Sequence, residues 1–105
     1  MEARAQDILS EGLGDSNLTG LRWVNDGQDL ILDFSTPENE ILSLRFVWVY
    51  NLKIDMTFGE YGGLPLLFES NFQRQDEKTW VVDLDFAGAP NGGIAFNCSD
   101  VEIVR

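Results

Sequence analysis

The sequence predicts a mainly β fold: an antiparallel β-sandwich or curled, barrel-like sheet of about seven or eight strands, with a short N-terminal helix. Three observations predict it. After residue 18, apolar and polar residues alternate with period two, as in strands with one buried face. Turn-forming residues interrupt the alternation at short intervals, so successive strands are joined by tight connections and run antiparallel. The longest alternating stretch, 42–58, is apolar at every even position: Leu42, Leu44, Phe46, Trp48, Tyr50, Leu52, Ile54, Met56 and Phe58.

The elements follow in order. Over 3–13, Ala5, Ile8 and Leu9 share one face of a helix that Gly12 or Gly14 ends. Strands over 18–24 and 30–34 flank Asn25-Asp26-Gly27, whose Asp-Gly pair suits a type I′ hairpin turn. Thr36-Pro37-Glu38-Asn39 stops the second strand, because proline cannot donate to a ladder. A flat strand over 42–58 would span ~56 Å, whereas a domain of this size has a radius of gyration of ~13 Å. The run must therefore bend or bulge, and the expected place is between Val47 and Asn51. Residues 46–50 are apolar at every position, so that patch is expected to be buried on both faces, by its own core and by the helix or a second copy. A glycine-rich loop, 58–65, leads to a strand over 66–72. A polar turn over 73–78 leads to a half-buried strand over 80–86. After a turn at 89–93, Ile94, Phe96 and Cys98 point inward. The inward parity then shifts to Val101 and Ile103, as a bulge at Ser99-Asp100 would produce. The chain is expected to form a single domain, residues 1–105, large enough to bury a core of its own.

Composition narrows the function classes. Eighteen acidic residues against seven basic give a net charge of −11, which repels phosphate backbones and disfavours nucleic acid while attracting a basic protein. The plain alternative is that the acidity only keeps the chain soluble. Histidine is absent, which removes the commonest general base and the commonest zinc ligand. Cys98 is the only cysteine, so no disulfide forms within the chain, and its inward parity makes it core packing rather than a nucleophile. The first residues carry acid and no long apolar run, so a signal peptide is not expected; no membrane span is expected either, and the default compartment is the cytoplasm.

Candidate sites are few. Glu60 and Tyr61 stand on the glycine-rich loop, an aromatic and an acid in the setting of a recognition loop. The same loop lacks the Lys-Ser/Thr and following helix of a phosphate cradle. Asp83 and Asp85 share the outer face of one strand. Asp33 lies on the outer face of another, and if those strands adjoin, an acidic strip results. Such carboxylates, with Glu69, also admit a histidine-free hydrolase, although a solvated face explains them without chemistry. Asp26-Gly27-Gln28-Asp29 lacks the spacing of a calcium loop. Trp80 shares inward parity with Val82 and Leu84, Trp48 belongs to the long alternating face and Trp23 adjoins the first hairpin, so all three are expected in the core. If the strand half that carries Trp48 and Tyr50 projects, these two become interface anchors instead.

Leu-Ser-Leu-Arg-Phe-Val-Trp-Val at 42–49, Leu-Lys-Ile at 52–54, Trp-Val-Val-Asp-Leu at 80–84 and Gly-Ile-Ala-Phe-Asn-Cys at 93–98 follow one another in an order that resembles small bacterial all-β domains, among them immunity proteins of toxin systems. The resemblance spans residues 20–104. It implies a stoichiometric inhibitor or small accessory protein without catalysis; no cofactor is expected. The expected function is therefore a non-enzymatic protein–protein interaction module, in its sharpest form an immunity-like inhibitor of a basic toxin or nuclease. Two alternatives stay open: a structural homo-oligomer, dimeric through the 42–58 region, and a small-ligand-binding β domain with a pocket near Tyr61.

Overall fold

The computed structural model describes residues 16–55, 67–86 and 93–104. The helix expected over 3–13 and the loop carrying Glu60 and Tyr61 lie outside the described residues. Eight strands are present among those described: β1 Asn17–Val24, β2 Asp29–Ser35, β3 Ile41–Val47, β4 Tyr50–Ile54, β5 Leu67–Asp76, β6 Thr79–Phe86, β7 Gly93–Cys98 and β8 Asp100–Val104. They form two antiparallel four-stranded sheets, ordered β1-β2-β3-β8 and β4-β7-β6-β5.

Local chemistry sets the turns. Asp26 and Gly27 have φ of 55° and 85°, as a type I′ turn needs, and Gln28 N donates to Asn25 O across it. After β2, Pro37 occupies the second position of a turn closed by Asn39 N donating to Thr36 O, and Asn39 takes φ of 64°. The β5–β6 hairpin differs from expectation. Residues 73–76 are polar, yet they continue the strand, with Gln73 opposite Val81, Arg74 opposite Trp80 and Asp76 opposite Thr79. A solvent-facing edge strand needs no apolar residues to keep its ladder, so the turn shrinks to Glu77 and Lys78. Arg74 closes it, donating to the carbonyls of Asp76 and Glu77 and lying 5.3 Å from the centre of the Trp80 ring.

The long alternating run breaks between Val47 and Tyr50. Its first part, β3, lies between β2 and β8 in one sheet, and its second part, β4, pairs with β7 in the other. The C-terminal run breaks at Ser99 in the same manner, β7 belonging to the second sheet and β8 to the first. Two neighbouring strands therefore cross between sheets at one corner, as strands do where packed sheets share a bent edge. Ser99 fastens the two crossings together: its N–H and its hydroxyl both donate to Val47 O, at 2.8 and 3.1 Å.

The sheets share one core. Leu30, Leu32, Phe34, Leu44, Phe46 and Val101 from the first sheet meet Val82, Leu84, Phe86, Ile94, Phe96 and Cys98 from the second. Phe46 spans the interface, with its ring edge-to-face on Phe96 at 4.8 Å and parallel to Phe72 at 6.5 Å. Burying each such side chain contributes about 1.5–3 kcal/mol.

Candidate functional site

The corner where β3 becomes β4 overturns the expected burial of residues 46–50. Phe46 is fully buried, but Trp48 is 57% and Tyr50 41% exposed. Two departures from regular strand geometry cause this. Trp48 takes φ of 56°, which slips the parity by one, so that Val49 instead packs against the core. Asn51 takes φ of 57° within an irregularity where the β4–β7 register shifts, which restores the parity, and Leu52 packs inward again. The two slips cancel. Alternation at even positions thus continues unbroken in the sequence while Trp48 and Tyr50 face out. The expectation of three core tryptophans is corrected likewise for Trp23, which is 46% exposed near the end of the edge strand β1; Trp80 is half-buried against the core.

A buried carboxylate builds the corner. Asp29, at the start of β2, is 2% exposed. Its Oδ1 accepts from the backbone N–H of Trp48 at 3.0 Å, and its Oδ2 accepts from Arg45 Nε at 3.0 Å and Nη2 at 2.5 Å. Val49 N then donates to Gln28 O at 2.8 Å. Burial pushes the Asp29 carboxyl up, but the Trp48 N–H, the Arg45 bonds and charge, and the Asn25 side chain together hold it below the ordinary carboxylate value. The carboxylate thus satisfies the Trp48 N–H, which the slip would leave unpaired, and fixes the direction in which Trp48 leaves the chain. Sequence reasoning placed Asp29 in a turn and missed this role. Its available signal was an acid directly ahead of the apolar run Leu30-Ile31-Leu32, with Arg45 the one base in β3.

The outer faces of the two sheets carry the remaining charged candidates. On the first sheet, Asp33 accepts from Ser43 Oγ at 2.5 Å and from Arg22 Nε and Nη2 at 3.3 Å. Burial raises its carboxyl, while Ser43 and Arg22 outweigh that and hold it below the usual range. On the second sheet, Asp83 and Asp85 stand two residues apart on β6, opposite Ala95 and Gly93 of β7 and opposite Asn71 and Glu69 of β5. Asp33 and the Asp83–Asp85 pair are therefore on different sheets, and the acidic strip expected from all three does not form, because β2 pairs with β1 and β3 rather than with β6. Cys98 is buried, and burial, with the nearby Asp100 charge, pushes its thiol up to about 12.

Two shallow depressions, of about 570 and 450 Å³, lie on the outer face of the second sheet. Both include Lys53, Asp83 and Ala95, so they form one trough along β7, walled by β4 and β6. Among the described residues no three His, Cys, Asp or Glu side chains converge as a metal site would require, and no helix is long and apolar enough to cross a membrane. No protein-family model matches the chain, and no curated protein matches it in sequence.

Proposed function

We propose that this protein is a non-enzymatic protein-binding module, in its sharpest form an immunity-like inhibitor that covers a basic site on a toxin or nuclease in the cytoplasm. One observation carries the reading: Trp48 is displayed outward at a positive φ. Among the described residues, the other non-glycine residues with positive φ are Asn25, Asp26, Asn39 and Asn51, side chains that tolerate this conformation. Trp48 stands where the backbone favours asparagine or glycine, and the buried Asp29 carboxylate, paired with the partly solvated Arg45, holds it there. Backbone strain of this kind, borne by an exposed aromatic on a rigid support, marks a binding anchor. The net charge of −11 supplies long-range attraction for a basic partner and makes association salt-dependent.

The test compares the wild-type chain with Trp48→Ala and Tyr50→Ala in capture from the source cell, followed by reconstitution with the purified partner. The expected result is a stoichiometric complex that weakens with salt and loses at least about tenfold in affinity in either variant. A complex indifferent to both substitutions refutes the reading. A second reading, a homodimer through the 42–58 region, is favoured by β4, which among the described residues is an edge strand, whereas β3 has strands on both sides. The bulge in β4 and Lys53 on that edge oppose it, being devices that blunt edges. Light scattering that returns a monomer at high micromolar concentration removes this reading.

A further inference from the structure

We infer that the outer face of the second sheet is the docking face for an extended, basic segment of a protein partner, laid along β7 with an apolar side chain at the corner end and lysine or arginine at the far end. The inference rests on the reading of Trp48 and Tyr50 as binding anchors and adds the chemistry of what they bind.

The register of the strands orders this face into three rows. Nearest the corner, Tyr50, Asn97, Val81 and Gln73 lie side by side across β4, β7, β6 and β5. Asn51 joins this row through its amide, which donates to Asn97 Oδ1 at 3.4 Å. The next row holds Lys53, Ala95, Asp83 and Asn71. In the last row Asp85 stands opposite Gly93, whose carbonyl accepts from Asp55 N at 2.7 Å. The row centres are small or short residues, Asn97, Ala95 and Gly93, and this produces the trough along β7. Gly93 is also required by the fold: its φ is 153°, and a Cβ there would stand 2.4 Å from Leu84 O.

The character of the face changes along its length. The corner end offers a Tyr ring and the half-buried Val81. The far end is lined by Asp55, Asp83 and Asp85 against the single cation Lys53. Among the described residues no cation is bonded to Asp83 or Asp85, whereas on the first sheet's outer face the buried Asp29 and the partly buried Asp33 each hold an arginine. Charge complementarity therefore selects a basic occupant. Successive rows are two strand residues apart, about 7 Å. Alternate residues of an extended segment repeat at the same distance, so an apolar-x-basic-x-basic pattern meets the three rows in order.

Fluorescence anisotropy tests this with a fluorescein-labelled peptide carrying leucine, lysine and lysine at alternate positions with threonine between, titrated with the full chain at low salt. Its control has glutamate in place of lysine. The expected result is binding of the basic peptide alone, weakened about tenfold by Asp83→Asn/Asp85→Asn and by Tyr50→Ala, and less than about twofold by Glu38→Gln/Glu77→Gln. That last variant removes the same two charges from exposed turns. Amide shifts in the bound chain fall on β4, β6 and β7. Equal loss in the two charge variants overturns the inference, because net charge alone then explains binding. Absence of binding overturns it too. Loss with Tyr50→Ala but not with Asp83→Asn/Asp85→Asn also overturns it, yet leaves the aromatic anchor standing; a partner complex insensitive to Trp48 and Tyr50 is the separate failure of the broader reading.

Discussion

On the outer face of the first sheet, Asp29 is bound by Arg45 and the Trp48 N–H, and Asp33 by Arg22 and Ser43. Gly20 leaves room for that second cluster, since a Cβ there would meet Asp33 Oδ2 at 2.7 Å. Ile31 lies between Arg22 and Arg45 in register and is only 5% exposed. On the outer face of the second sheet, Asp83 is exposed, its row centre is Ala95, and no cation is bonded to it among the described residues. The first face has its polar groups satisfied internally and supports the corner. The second, among the described residues, has no element over it and lies beside the corner's exposed aromatics. Carboxylates alike in sequence thus differ in their bonding, and the difference lies in what the register sets opposite them.

The largest effect that separates the faces is expected at Asp29. Asp29→Ala leaves the Trp48 N–H and the Arg45 guanidinium without their acceptor, which costs about 2–4 kcal/mol after allowance for Arg45 being partly solvated. Urea denaturation measures it as a lower midpoint at unchanged slope. The pH dependence has a defined sign. Both Asp29 and Asp33 have carboxyls held below their ordinary value in the folded chain, so the unfolded chain takes up protons first. Their stabilisation is complete above about pH 5 and is lost as pH falls through about 4 and below. Asp29→Ala flattens that acid limb; a limb as steep as wild type would show that Asp29 is not the group responsible.

How far the sequence reached follows the same division between local and non-local causes. The Asp26-Gly27 turn, the stop at Pro37, the break between Val47 and Asn51 and the shift at Ser99 are local events, and each was legible from the residues that make it. The outward turn of Trp48 and Tyr50 was not, because two one-residue slips three positions apart leave the even-numbered pattern intact. Within 42–58 only Arg45 hints at the first slip, and the carboxylate that fixes it, Asp29, lies nineteen residues from Trp48 on another strand. The positions of Asp83 and Asp85 on an outer face were legible from alternation. Their separation from Asp33 was not, since alternation says which face a residue takes but not which strands adjoin.

A smaller effect is expected at Trp48. Trp48→Gly removes the strain of a side chain at φ of 56°, worth about 1–2 kcal/mol, and adds freedom to the unfolded chain, which offsets about 0.5–1 kcal/mol of that. Stability should stay within about 1 kcal/mol of wild type. A loss above about 3 kcal/mol would mean that the ring packs the corner rather than being presented by it.

The smallest effect is expected on the open face, and its sign carries the information. Asp83→Asn/Asp85→Asn removes two charges that face solvent and each other about 7 Å apart on a chain of net charge −11. If that face served the fold, the substitutions would destabilise it as loss of Asp29 does. If it is kept for a partner, folding needs neither charge, and relief of self-repulsion raises stability by up to about 0.5 kcal/mol at low salt. Thermal unfolding at low and high ionic strength separates the two cases, because the gain fades as salt screens the repulsion. A chain stabilised by losing these carboxylates, yet binding a basic segment less well without them, uses the outer face of its second sheet for recognition and not for folding.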